Sequence, residues 1–180
     1  MTPLLPHDGL TVSLDIPHQP WLEALPNVEA LVETAILACL HRACPALDEA
    51  EISIVLVDDA TQRILNETWR EKDRPTNVLS FPATDTLAGA VPQREFPGVP
   101  LSLGDISLAF ETICAEAEEQ GKSLDDHLVH LVVHGVLHLL GYDHLVEADA
   151  AVMEALEIAI LAGIGIKDPY DVNSERESEG

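Results

Sequence analysis

Positive charge is scarce in this chain, which has 9 lysines and arginines against 32 aspartates and glutamates and a formal net charge of −23. Taken alone, this excess argues against a nucleic-acid partner, because phosphate affinity comes mainly from lysine and arginine. The few cations are unevenly spread, however, and four of them cluster at Arg63, Arg70, Lys72 and Arg74. This cluster fits either a small basic site on an acidic body or an ordinary solvated helix and loop.

Cysteines and long apolar runs are also scarce. Cys39, Cys44 and Cys114 are an odd number without metal-type spacing, so we expect reduced, partly buried thiols. No apolar run is long enough to span a membrane, and the opening MTPLLPHDGL lacks the basic and apolar regions of a secretory signal. With 180 residues, 47% of them hydrophobic, we expect one globular domain in the cytoplasm.

The most informative stretch is HGVLHLLGYDH, at residues 134–144. His134 and His138 are four residues apart, a spacing that puts both rings on one face of a helix. Gly141 permits a left-handed turn, after which the chain can bring His144 to the same point. Three neutral imidazoles with one open position describe a catalytic zinc site, although nickel or copper also suits such ligands.

The stretch departs at one position from the metalloprotease pattern H-E-x-x-H-x-x-G-x-x-H. Gly135 stands where those enzymes carry the glutamate base, which argues against ordinary peptide hydrolysis. The general base is therefore unassigned, and a metal-bound hydroxide could attack either a carbonyl or a phosphorus atom. A closed structural metal site would need a fourth protein ligand, for which Asp143 is the only close candidate.

Two further histidines precede the motif on the same helical face. His127 and His130 lie two turns and one turn before His134. They either support the metal ligands or the substrate, or they are ordinary polar positions on a partly exposed helix.

The sequence pattern predicts strands and helices intermixed along the chain, as in an α+β or α/β fold. Alternating and apolar runs predict strands at residues 10–16, 51–57, 78–81 and 101–109, and the apolar run at 51–57 indicates an interior strand. Capping residues and periodicity predict helices at residues 27–42, 58–69, 111–120, 123–140 and 146–162. We expect a long loop at 83–100, a single domain over 1–166 and a flexible acidic tail over 167–180.

Three stretches together resemble the YbeY family of bacterial endoribonucleases. They are HGVLHLLGYDH, then LNETWREKDRPTNVLSFP at residues 65–82, and LGDISL at residues 103–108. The resemblance covers roughly residues 50–160 in colinear order. The proline-rich loop at 83–100 is longer than a minimal member of the family needs.

This resemblance implies one zinc ion per chain, bound by His134, His138 and His144, and a functional arginine at Arg70. It further implies cleavage of single-stranded RNA in 16S rRNA 3′-end maturation and ribosome quality control, with the ribosome or its proteins as partners. The implied fold is α+β, a small mixed four-stranded sheet packed with helices, with the metal site on a helix and the following turn.

The chemistry of Arg70 leaves two interpretations open without the family. Its guanidinium suits bidentate binding of a phosphate, but a cation at a helix C-terminus is also favoured by the helix dipole. Two other functions compete with the nuclease: a zinc-stabilised, non-catalytic ribosome assembly factor, and a zinc peptidase, which Gly135 disfavours.

Overall fold

The structure, a computed structural model, describes residues 2–7 and 9–171 as one mixed sheet covered by helices. Its five strands are β1 (Thr2–His7), β2 (Leu10–Asp15), β3 (Ala50–Val57), β4 (Val78–Pro82) and β5 (Ser102–Ala109). Its six helices are α1 (Pro20–Ala24), α2 (Val28–Ala43), α3 (Asp59–Arg70), α4 (Phe110–Glu119), α5 (Leu124–Leu139) and α6 (Glu147–Gly163). The α+β class predicted from the sequence is confirmed.

The sheet has the strand order β1-β2-β3-β5-β4. β3 is parallel to both of its neighbours, as expected for the apolar run predicted to lie inside the sheet, while β1 and β4 pair antiparallel at the two edges. The four predicted strands correspond to β2, β3, β4 and β5, and β1 adds a fifth strand at one edge that was not predicted. Its sequence, TPLLPH, contains two prolines, which a sheet tolerates at its edge.

The two faces of the sheet are covered by different helices. On one face, α5 packs against β4 and β5 and also contacts α2, α4 and α6. A Cβ built on Gly135 of α5 would lie 3.1 Å from Ile106 of β5, so helix and strand are in close contact there. The next residue of the strand, Ser107, hydrogen-bonds Gln62 of α3 at 2.7 Å. Because successive strand residues face opposite ways, α3 lies on the other face.

Helix α3 and the loop that follows it are held by side-chain hydrogen bonds at both ends. At the start, the carboxylate of Asp58 accepts the backbone N–H of Thr61 at 2.8 Å. At the end, Glu71 adopts the left-handed conformation with φ 57°. Asn66 then donates from Nδ2 to the carbonyl of Arg74 at 2.8 Å. These contacts fix the end of α3 relative to the loop that leads into β4.

The two segments predicted to be irregular both contact the body of the protein. Residues 83–100 contain no helix or strand, as predicted, but the backbone at Thr86 lies directly against the turn after α5. Beyond α6, the carbonyl of Pro169 accepts a hydrogen bond from Nζ of Lys122 at 2.8 Å, and the hydroxyl of Tyr170 donates to Glu157. Pro169 and Tyr170 of the predicted tail therefore contact the protein, while residues 172–180 of that tail lie outside the described residues.

The helices among residues 2–7 and 9–171 are too short or too polar to cross a bilayer.

Candidate metal centre

Three histidines converge at the end of α5 and in the turn that follows it. His134 and His138 come from the helix and His144 from the turn, and one possible ligand atom from each lies within 4.8 Å of the others. The two Nε2 atoms of His134 and His138 are 3.0 Å apart. The structure thus brings together the three residues that the sequence spacing predicted to share one site.

The turn that returns His144 to the helix depends on Gly141. Its φ is +96°, in the region that side chains disfavour, and an added Cβ would lie 1.9 Å from the carbonyl oxygen of Thr86. A glycine is therefore required both by the backbone conformation and by the loop packed on top of it. The start of the proline-rich loop forms part of the wall of the site.

The hydrogen bonds of the two helical histidines leave their Nε2 atoms free to bind a metal. Nδ1 of His134 lies 2.5 Å from Oε1 of Glu157, and Nδ1 of His138 lies 2.9 Å from the carbonyl oxygen of Tyr142. An ionised carboxylate and a carbonyl only accept hydrogen bonds, so each Nδ1 carries the proton and each Nε2 presents a lone pair.

This arrangement fits a cation. Two imidazole lone pairs face each other at 3.0 Å, and neither nitrogen carries a proton to share. Tetrahedral zinc holds nitrogen ligands about 2.0–2.1 Å away, which puts neighbouring ligands roughly 3.3 Å apart. Burial, together with the neighbouring His134 and His144, also lowers the pKa of His138 to about 4. His138 is therefore neutral at pH 7 and available as a ligand.

Glu157 of α6 is the residue of the site that sequence reasoning missed. It is fully buried and accepts hydrogen bonds from His134, from His130 Nε2 at 3.2 Å and from the hydroxyl of Tyr170. Burial alone would raise the pKa of Glu157, but these hydrogen bonds lower it to about 2. A sequence signal existed, since Glu157 lies at helical spacing among the buried positions Met153 and Leu161.

The two histidines upstream of the motif have different surroundings. His130 bonds Glu157 and thereby contacts the same carboxylate as His134. His127 instead bonds Glu116 of α4 at 2.8 Å, away from the three converging histidines. His130 is thus connected to the converging histidines through Glu157 and through an edge-to-face contact between its ring and that of His134.

Gly135 is explained by packing. A Cβ there would meet Ile106 of β5 at 3.1 Å and the hydroxyl of Ser80 at 3.2 Å, and that hydroxyl donates to the Gly135 carbonyl. A glutamate side chain would be directed into this helix–sheet contact. The position of the metalloprotease base is therefore occupied by the sheet.

Arg70 lies in the same pocket as the three histidines. The pocket has a volume of about 620 Å³ and is open to solvent between the end of α3, β4 and the turn after α5. Nη2 of Arg70 donates to the carbonyl of Ser80 at 2.7 Å, which holds the guanidinium at the pocket wall and leaves its other N–H groups for a ligand. Lys72 and Arg74 line the pocket too, as do the acidic residues Asp85 and Asp143.

Fold and site together define a class of protein, in which a mixed sheet supports three convergent histidines that could hold one metal ion beside a basic pocket wall. The family model described as Endoribonuclease YbeY matches residues 22–165. The chain belongs to this family. The matched residues include all three motifs that carried the resemblance.

Proteins named Endoribonuclease YbeY are similar in sequence to most of the chain. The protein named Endoribonuclease YbeY of Paramagnetospirillum magneticum is 53% identical over 163 residues, which cover 89% of this chain and 96% of that protein. Proteins of the same name from Bradyrhizobium sp. and Rhodospirillum rubrum are 49% and 46% identical. The matches cover 81% of this chain and 83% of the first protein, and 94% of this chain and 86% of the second.

Proposed function

We propose that this chain is a zinc-dependent endoribonuclease that cleaves single-stranded RNA. The proposed role is 16S rRNA 3′-end maturation and ribosome quality control in the cytoplasm, with the ribosome or its proteins as partners. Membership of the endoribonuclease YbeY family supports the activity. The observation that carries the proposal is the meeting of His134, His138 and His144 in one pocket with Arg70.

The protein's own side chains have distinct tasks in this proposal. His134, His138 and His144 hold the zinc ion, which when bound supplies Lewis acidity for a phosphate oxygen or an attacking water. Arg70 binds the scissile phosphate through N–H groups not used by Ser80 and stabilises the charge that grows on its oxygens. Glu157 and the Tyr142 carbonyl keep the two helical imidazoles in the tautomer that binds metal.

The identity of the cleavage products separates two routes. If an RNA 2′-hydroxyl is the nucleophile, the product carries a 2′,3′-cyclic phosphate, whereas direct attack by water leaves none. Gly135 supplies no base for either route. End-group analysis of the cleaved RNA therefore identifies the nucleophile.

Arg70→Ala and His138→Ala test the activity. We expect His138→Ala to lose bound zinc and cleavage, because one of three protein ligands is gone. Arg70→Ala is expected to retain zinc but cleave about 10²–10³ times more slowly, as when one transition-state donor is removed. Cleavage of single-stranded rRNA and metal content are both measured on nuclease-free preparations.

Arg42→Ala is the matched control for the loss of a cation. Arg42 is an exposed arginine near the end of α2 that lines a different pocket, so its removal should change neither cleavage nor zinc content. Equal cleavage by the wild type, Arg70→Ala and His138→Ala would contradict the nuclease. Normal rRNA processing with Arg70→Ala, combined with unfolding on zinc removal, would support the assembly factor instead.

A further inference from the structure

One of the two tryptophans of the chain is exposed to solvent next to the pocket. Trp69, in the last turn of α3, is 67% exposed, whereas Trp21 is fully buried. Single exposed apolar side chains are ordinary on protein surfaces, so exposure alone identifies nothing. The surroundings of Trp69 are what distinguish it.

Trp69 forms an aromatic pair with Phe81 of β4. The two ring centroids are 6.4 Å apart with an interplanar angle of 65°, an edge-to-face contact. Because Trp69 is 67% exposed, this contact leaves most of its ring open to a ligand. Cζ of Arg70 lies 5.6 Å from the Phe81 centroid, so the proposed phosphate-binding guanidinium contacts the aromatic pair.

The aromatic pair adjoins, through Arg70, the rim of the pocket that contains the three histidines. Arg70 follows Trp69 in the chain, lies over the Phe81 ring and lines the pocket, whereas neither aromatic ring is itself part of the pocket lining. A strand whose phosphate is held by Arg70 would therefore have a neighbouring base within reach of the two rings.

The charge at this rim suits a polyanion. Arg70, Lys72 and Arg74 are exposed and line the pocket, and within residues 2–7 and 9–171 no carboxylate forms an ion pair with any of them. Arg63, the fourth cation of the cluster, is instead paired with Asp73 at 2.5 Å. These three cations, beside one exposed ring, outnumber Asp85 and Asp143 of the same pocket lining and favour a nucleic acid over an acidic protein surface.

We infer that Trp69, supported by its edge-to-face contact with Phe81, is a stacking platform for an unpaired base of the RNA whose phosphate Arg70 holds. This inference rests on the proposed function. Proteins that bind single strands combine a positive groove with aromatic side chains, because every base offers a π-face. In a duplex the base faces are covered by their neighbours. The platform therefore selects single-stranded over double-stranded RNA at this site.

The intrinsic fluorescence of the protein tests this directly, because Trp21 is buried and its Nε1 donates to the carbonyl of Val57 at 3.0 Å. The probes are a short 2′-O-methyl RNA strand, the same strand with abasic residues, and its duplex. We expect the base-containing single strand to quench Trp69 emission, and the abasic strand and the duplex to leave it unchanged. Trp69→Ala should bind the single strand at least about fivefold more weakly, and Trp69→Phe should retain most of the affinity.

Ile64→Ala is the matched control, since Ile64 is 62% exposed on the same helix and lies away from the aromatic pair in the helical repeat. It should bind every probe as the wild type does. Equal affinity of the wild type and Trp69→Ala, or unchanged emission with RNA bound, would overturn the platform and leave Trp69 available for a protein contact. Absence of RNA binding by the wild type would overturn the proposed function as well, so the two failures are distinguishable.

Discussion

At the scale of single residues, a buried carboxylate organises the candidate metal centre. Glu157 is fully buried and joins His134 to His130 and Tyr170 through three hydrogen bonds. A carboxylate that accepts from a ligand's Nδ1 fixes both the tautomer and the ring orientation of that ligand. The geometry of His134 is therefore set by a residue on another helix.

Replacing Glu157 should weaken metal binding. In Glu157→Gln the amide nitrogen can only donate, so it opposes at least one of the donors that now point at the carboxylate. We expect zinc affinity to fall by about 10–100-fold, measured by competition with a chelator of known affinity.

Glu154→Gln is the control for this loss of charge, because Glu154 is an exposed glutamate of the same helix. It should bind zinc as the wild type does. Unchanged zinc affinity in Glu157→Gln would mean that the carboxylate contributes only to packing.

At the scale of secondary-structure elements, α5 and α4 are joined by a buried histidine. His127 of α5 is 3% exposed and bonds Glu116 of α4 through Nε2, and its Nδ1 is buried without a hydrogen-bond partner in the described part of the chain. Burial lowers the pKa of His127, and His130 and Lys122 act in the same direction, whereas Glu116 raises it. Protonation would add a second N–H for which no acceptor is placed.

A pH-dependent loss of stability follows at this helix contact. Because the folded-state pKa of His127 lies below its unfolded value of 6.5, the unfolded state takes up more protons as the pH falls through that value. The contribution of His127 to stability is thus complete above pH 6.5 and decreases below it. In His127→Gln, whose amide can still donate to Glu116, urea unfolding should show a smaller loss of stability between pH 7.5 and pH 5.5.

An exposed histidine provides the comparison. His41→Gln, on α2, should lose as much stability as the wild type over the same range. A parallel loss in the wild type and His127→Gln would exclude His127 as a source of the pH dependence.

At the scale of the whole molecule, charge is separated between an acidic body and one basic pocket wall. The net charge is −23, yet Arg70, Lys72 and Arg74 line the pocket together. Three phosphate contacts on a single strand correspond to a slope of about −2 in log affinity against log salt concentration. We expect this slope for RNA binding, measured by a salt titration.

Single cations should contribute separately to that slope. Arg74→Ala should make it shallower by about 0.7, while Lys167→Ala, an exposed lysine outside the pocket lining, should leave it unchanged. A slope that Arg74→Ala does not alter would mean that phosphates pass elsewhere on the surface.

The local parts of the fold and site could be predicted from the sequence. Spacing alone put His134 and His138 on one helix face, and a left-handed turn at Gly141 followed from its place after the helix. The central position of β3 followed from its apolar run. β1 was not predicted, because two prolines mark a segment as irregular unless its position at the edge of a sheet is known.

What the sequence by itself determined is therefore the chemistry of the three histidines. A helix repeat brings His134 and His138 together, and a left-handed turn at Gly141 lets His144 return to them. Tertiary structure alone decided which distant residues join them. Glu157 reaches His134 from another helix, Trp69 meets Phe81 across a helix and a strand, and Ile106 excludes a side chain at Gly135. Such contacts depend on how elements pack against one another, and packing is not encoded in any local periodicity.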